Sequence, residues 1–352
     1  MIINPGLRTV FRNPQTIQIG VGGGGVILEG LTAEDRTFVK LLCTGTSGAS
    51  VAAAAANANV PPDRVEQILQ SLATVLVDDS FPLRPPGFRG DRLAGEIRQL
   101  FAVYGRQSTE ILSRRGRAAV RIIGLGRTGA AVAQALLGGG VRTLLLQDER
   151  AVTASDVGPG AFRLADIGMN RAAALRRHLL SADPGCQAHV IHPVSSGGQV
   201  FSSLDLAVYV GQDVADPNVL AELMGRDQPH LVVLLREQDG AVGPLVIPGQ
   251  TACQGCIERQ LAEVDPDWPQ IRRQLEDQAA AEEGSMALEL AGSAAYQALL
   301  YLDGTNRPAS WSAVLTFRGA DGGWRQHRYT QHPDCGCQLQ RQAAANLQLW
   351  DG

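Results

Sequence analysis

Four cysteines stand in two close pairs, Cys253 with Cys256 as CxxC and Cys335 with Cys337 as CxC. Four thiolates complete a tetrahedral shell, and the softness of sulfur selects zinc over magnesium or calcium. A closed shell of this kind leaves no position for a substrate, so the expected metal role is structural. Buried free thiols and a redox pair are the alternative readings. His332, beside the second pair, is a further candidate ligand, while Cys43 and Cys186 are expected in the core. The other chemistry-bearing group is Gly124, Gly126 and Gly129 in GxGxxG spacing, followed by Asp148. Such glycines allow a tight strand-to-helix turn and close approach of backbone to a phosphate, and an acid at this distance is placed for ribose hydroxyls. No nucleophile elbow, HExxH or second phosphate loop occurs, and the six histidines fall singly, so no side chain is assigned a catalytic role.

The elements that must hold these groups are legible around them. Val120, Ile122 and Ile123 form an apolar run before the glycines, an Ala/Leu helix follows, and Val141 to Leu146 form a second run ending on Asp148. That is one βαβ unit. Further strands are expected at 189–191, 204–211, 230–237 and 243–249, and helices at 166–181 and 217–224. Strands alternating with helices predict an α/β fold with a mostly parallel, Rossmann-type sheet. A long amphipathic stretch from 268 to 302 and a strand at 311–318 precede the second cysteine pair.

Upstream, residues 7–31 read as three short strands. Thr32 and Asp35 are spaced to cap a helix carrying Phe38, Val39, Leu41 and Leu42. A second helix is expected at 50–58. Beyond Pro61-Pro62, the residues Val65, Ile68, Leu69, Leu72, Val75 and Leu76 give a third helix one apolar stripe. These pieces assemble as a small winged-helix-like domain over 1–82. A linker and bridging helix follow at 83–116, then the sheet-bearing domain at 117–340 and a tail at 341–352.

At 352 residues and 45% hydrophobic, the chain can bury two cores. A net charge of -4, with few basic residues before position 80, argues against nucleic-acid and membrane-surface roles. There is no apolar run of about 18 residues and no basic-then-apolar start, so a cytoplasmic protein is expected. Of the 31 basic side chains all are arginine except Lys40, which leaves the sheet-bearing region without lysine.

The segments GLGRTG at 124–129, SDVGPG at 155–160 and DIGMNRAAAL at 166–175, with Asp148, Asp213 and the cysteine pairs, resemble the E1-like family of ThiF, MoeB and ubiquitin-activating enzymes. The resemblance covers about residues 95 to 340. With the winged domain, TACQGC and HPDCGC, the chain is further similar to the Ocin-ThiF-like leader-peptide-binding proteins of azole-forming peptide pathways. It implies Asp148 as the ribose acid and Asp213 as the magnesium acid. The adenylating members also carry two asparagines, an Arg-Gln pair and a lysine. Here Asp156, Gly158, Pro159 and Gly160 stand in those places, with Met169 and Arg171 near the lysine position. Arg171 is a partial replacement only, because a guanidinium is not an interchangeable point charge.

The resemblance therefore implies a non-catalytic partner with a degenerate adenylation site, which weighs against ATP and magnesium as cofactors and leaves structural zinc. Such a protein would bind the leader of a ribosomal precursor peptide, present it to a YcaO-type cyclodehydratase or a dehydratase, and form a homodimer. Leader capture is expected by strand addition at a sheet edge bearing Thr16, Gln18 and Gly20, beside a helix presenting Val65, Leu69 and Leu72. The alternative is an active E1-like enzyme that uses ATP to adenylate the C-terminus of a peptide or sulfur carrier. A nicotinamide oxidoreductase would account for the glycines and Asp148 but not for the cysteines or the winged domain.

Overall fold

Thr32 and Asp35 do form the expected reciprocal cap: the Asp35 amide donates to Thr32 Oγ1 and the Thr32 amide to Asp35 Oδ2, both at 3.1 Å. The structure, a computed structural model, describes residues 1–44, 51–77, 88–192, 204–276 and 282–338; most of the expected linker and the tail at 341–352 lie outside them. The chain divides into two compact units, Met1–Ser113 and Arg114–Gly352.

The first unit contains β1 (Ile2–Ile3), β2 (Thr9–Asn13), β3 (Thr16–Ile19), β4 (Val26–Leu28), α1 (Ala33–Thr44), α2 (Val51–Asn57), α3 (Pro62–Leu72), β5 (Leu76–Val77), α4 (Phe88–Arg92) and α5 (Ala94–Tyr104). Phe38, Val39 and Leu42 on α1 meet Ile17 and Ile19 on β3 and Ile68 and Leu72 on α3 in one apolar core. The third helix is shorter than its apolar stripe. It stops at Leu72, and Leu76 and Val77 pair antiparallel with Ile3 and Ile2, so a two-stranded ladder replaces its last turn.

The sheet order β2-β3-β4 corrects the expected peptide edge. Thr16 and Gln18 lie on the middle strand, hydrogen-bonded on both sides, and Gly20 is buried just beyond it. β3 is central because Ile17 and Ile19 are the residues that fill the core, each with 0% exposure. Leu72 is likewise enclosed and cannot line an open groove, whereas Val65 and Leu69 are half-buried. The edge next to α3 is β4.

Across the boundary runs α6 (Ser108–Arg117), followed in the second unit by β6 (Ala119–Ile123), α7 (Arg127–Gly138), β7 (Thr143–Gln147), α8 (Arg171–Ala182), β8 (Gln187–Val190), β9 (Leu206–Gln212), α9 (Pro217–Gly225), β10 (His230–Leu235), β11 (Asp239–Val246), α10 (Gln254–Val264), α11 (Trp268–Leu275), α12 (Gly284–Asp303), β12 (Ala313–Arg318) and β13 (Trp324–Arg328). The eight strands order as β13-β12-β11-β10-β9-β6-β7-β8. Strands β8, β7, β6, β9 and β10 are parallel, and β11 to β13 are antiparallel additions. Leu144, Leu146, Val208 and Leu231 form the sheet's apolar face, against which Val132 and Leu136 of α7 and Leu290, Ala294 and Ala298 of α12 pack. Chain order reverses between β6 and β9, and the crevice beyond the carboxyl ends of strands at such a point is where α/β sheets hold ligands.

A buried ion pair fastens α6 to the ends of α7 and α12. Arg115 Nε and Nη2 donate to the two oxygens of Asp303 at 2.6 and 2.7 Å, and its Nη1 donates to the Gly139 carbonyl at 3.1 Å. Among the described residues no helix is long and apolar enough to cross a membrane.

Candidate functional site

The turn from β6 into α7 is built by close approach. Gly124 sits at φ 86°, and a Cβ there would lie 2.1 Å from the Val210 carbonyl oxygen on the neighbouring strand. At Gly129 a Cβ would lie 1.9 Å from the Gly124 carbonyl oxygen, so only glycine lets the first turn of α7 lie against the strand end. Beyond this turn, at the switch between β6 and β9, opens a cavity of about 680 Å³ lined by Gly124, Gly126, Asp148, Arg150, Tyr209, Asp216 and Glu282 among others.

Asp148 anchors its floor. Oδ2 accepts from the Leu125 amide at 2.8 Å, from Arg150 Nη2 at 2.9 Å and from Arg171 Nη1 at 3.3 Å, while Oδ1 accepts from the Arg150 amide and Nε. Burial opposes the charge, but the bonds from Arg150 and the Leu125 amide outweigh it and hold the carboxyl below the usual carboxylate range. Arg150 reaches over Asp148 from solvent, with 62% of its side chain exposed.

Arg171 is not the phosphate-facing cation that its position suggested. Its Nε and Nη2 donate to both oxygens of Asp156, and its Nη1 turns to Asp148, so the guanidinium is a buried counterion behind the cavity. Among the described residues that line the cavity the cation is Arg150, only two residues beyond Asp148. Sequence reasoning passed over it because the E1-like pattern directs attention to later positions. Asp213 lies beside rather than in this cavity. It has a left-handed backbone (φ 50°) and lines a second cavity of about 400 Å³ with Arg236, Trp268 and Tyr329. Burial and then the charge of Glu237 push its carboxyl up. The acid that the same loop gives to the main cavity is Asp216, which also caps α9 through the Asn218 amide.

The cysteine pairs do converge. The sulfurs of Cys253, Cys256, Cys335 and Cys337 all lie within 4.8 Å of one another and all four residues are buried. Sγ separations are 3.8 Å for 253–256, 3.6 Å for 253–335 and 3.5 Å for 256–337. A tetrahedron with bonds of about 2.3 Å has edges of about 3.8 Å, so the donor set and its spacing fit zinc. The hydrogen bond with Cys256 and then burial push the Cys253 thiol up, and burial pushes Cys337 up to about 12. The bond from Cys253 draws Cys256 down to about 4. A divalent cation would favour the thiolate form of the four sulfurs together. His332 is not a ligand: its Nε2 meets Glu263 at 2.8 Å and its Nδ1 accepts from the Asp334 amide.

A Rossmann-type sheet with a glycine turn, an acid at the end of the second strand and a four-cysteine clasp consistent with structural zinc defines a nucleotide-fold protein of the E1-like class. The chain belongs to the ThiF family, which it matches over residues 98–339. No curated protein matches the sequence significantly. Among solved structures it is similar to Escherichia coli MccB with succinimide (16% identity, 96% of this chain and 98% of that chain covered, TM-score 0.72) and to MccB with ATP (17%, 96% and 98%, 0.69). It is also similar to PaaA (16%, 93% and 99%, 0.69).

These likenesses correct the expectation of a non-catalytic presenting protein with a degenerate site and no nucleotide. The matched chains include the microcin C7 biosynthetic enzyme MccB, solved with ATP and with AMPCPP together with MccA. The departure from the pattern at 156–160 misled because Asp156 folds as a capped turn and as the partner of Arg171, away from the open cavity.

Proposed function

We propose that the chain is an ATP-dependent adenylating enzyme acting on the C-terminal carboxylate of a peptide. The observation that carries this reading is the cavity at the β6–β9 switch, where the amino end of α7, the ionised Asp148 and the Arg150 guanidinium converge. Ribose hydroxyls would exchange with Arg150 for the oxygens of Asp148. The triphosphate would lie toward the amino end of α7, whose first-turn amides have no partner within the helix and whose dipole favours anions. The carboxylate oxygen forms a bond to the α-phosphorus as the bond to the bridging oxygen breaks, releasing pyrophosphate and leaving an acyl adenylate. Freed from Asp148, Arg150 is the cation available to the charge that develops. The full-length likeness to MccB solved with AMPCPP and MccA supports a peptide over a sulfur carrier as acceptor. Pyrophosphate exchange into ATP, driven by candidate peptides, is the test. Asp148→Asn is expected to lower exchange by roughly 100-fold, the scale for loss of one preorganised electrostatic contact. No exchange by the unaltered chain with any peptide would reject the assignment.

The same reading makes residues 1–82 the peptide-recognition segment and 117–340 the adenylating segment, joined by 83–116. Among the described residues β4 is an edge strand that offers backbone pairing, and the half-buried Val65 and Leu69 of α3 offer an apolar wall. Replacing both by asparagine in the full chain is expected to weaken peptide binding about tenfold or more while leaving ATP affinity unchanged, as measured by calorimetry with each ligand.

A further inference from the structure

The amino end of α7, where the adenylating reading seats phosphate, carries an anion from the chain itself. Glu282 enters the cavity just before α12, and its Oε2 accepts from the Thr128 amide at 2.9 Å and from Thr128 Oγ1 at 3.1 Å. Its Oε1 fills the space left by the missing side chain of Gly126, 2.2 Å from where a Cβ would stand. Arg127 locks the arrangement from the other side, donating Nη1 to the Glu282 carbonyl at 2.9 Å and Nη2 to the Val157 carbonyl at 2.9 Å. An amide in the first turn of a helix has no partner within the helix and seeks an anion. Here a carboxylate, an alcohol and a glycine gap match as they would for a phosphate oxygen.

We propose that Glu282 is a built-in stand-in for nucleotide phosphate, occupying the cradle in the nucleotide-free chain and displaced when ATP binds. The inference rests on the adenylating reading and adds a regulatory device to it. A carboxylate and a phosphate cannot share one amide, so apparent ATP affinity is reduced by the fraction of molecules in which Glu282 is seated. The device also separates ligands by charge, because adenosine, which lacks phosphates, does not compete for the Thr128 amide.

The experiment measures ATP and adenosine affinities of the full chain, unaltered and as Glu282→Gln, by calorimetry. Loss of the charged acceptor is expected to tighten ATP binding about tenfold, the scale of one charge-assisted hydrogen bond, and to leave adenosine binding unchanged. Glu282→Asp keeps the charge but is one methylene shorter; it should give a smaller gain, and it decides the matter if the glutamine variant does not fold. Equal ATP affinities in a chain that catalyses pyrophosphate exchange would overturn the stand-in while leaving the adenylating reading intact. Tightening of ATP and adenosine alike would also overturn it, since Glu282 would then act on the whole cavity. Absence of ATP binding in both proteins, with no exchange, would overturn both readings.

Discussion

Purified chain is expected to contain one zinc, and Cys256→Ser is expected to release it and cause the largest loss of stability of any single substitution considered. Cys256 has 0% exposure, lies in the first turn of α10 and faces Cys253 and Cys337. Serine removes one of four thiolates and leaves the other three in an apolar pocket with Val246 and Ala252. Structural four-ligand zinc sites contribute on the order of 10 kcal/mol of binding energy, and in a metal-dependent fold that energy is folding energy. Chelation should reproduce the effect. Because protons compete with the metal for sulfur, acidification should also release zinc from the unaltered chain. Elemental analysis together with thermal unfolding reads all three outcomes, and a metal-free chain of undiminished melting temperature would show the cluster to be packing alone.

Breaking the Arg115–Asp303 pair is expected to cost about 3–5 kcal/mol. Both side chains are nearly enclosed, at 8% and 1% exposure, so removing one leaves the other charged and unpaired in a dry site. Arg115→Met strands the Asp303 carboxylate and also releases the Gly139 carbonyl at the end of α7. A shift of roughly 10 °C in melting temperature should follow for a unit of this size. The double variant Arg115→Met with Asp303→Leu is expected to recover most of the loss, because two apolar side chains leave no stranded charge. Denaturant midpoints of the two single variants and the double variant close the cycle; equal destabilisation in all three would mean that shape, rather than charge pairing, governs the site.

What could be read from the sequence was what is decided locally. The turn through Gly124 and Gly129, the Thr32 and Asp35 cap and the paired cysteines each follow from backbone and donor chemistry within a few residues. Strand partners are not decided that way. Ile2 and Ile3 acquire a strand only because Leu76 and Val77, seventy-odd positions later, come alongside, and the apolar stripe of α3 gave no sign that its last members would leave the helix. β3 looked like an edge because the sequence shows one strand's pattern but not its neighbours. Charges were misassigned for the same reason. Arg171 has the right type and position for a phosphate ligand, yet Asp156 claims it, while Glu282 arrives at the amino end of α7 from a point 154 residues away.

The cysteine clasp also orders events during synthesis. Cys253 and Cys335 are 82 positions apart, and Cys256 and Cys337 are 81 apart, so the second half of the site leaves the ribosome after α12, β12 and β13 have been made. The first pair emerges with two sulfurs and waits, a weak and exchangeable chelate. Metal is therefore captured tightly only by a chain that has been translated through residue 337. A product cut short between residues 257 and 334 has the glycine turn, Asp148, the parallel strands and the first cysteine pair, but lacks the second pair and so the clasp. Assembly of the four-sulfur shell is thereby tied to completion of the antiparallel edge of the sheet, β12 and β13.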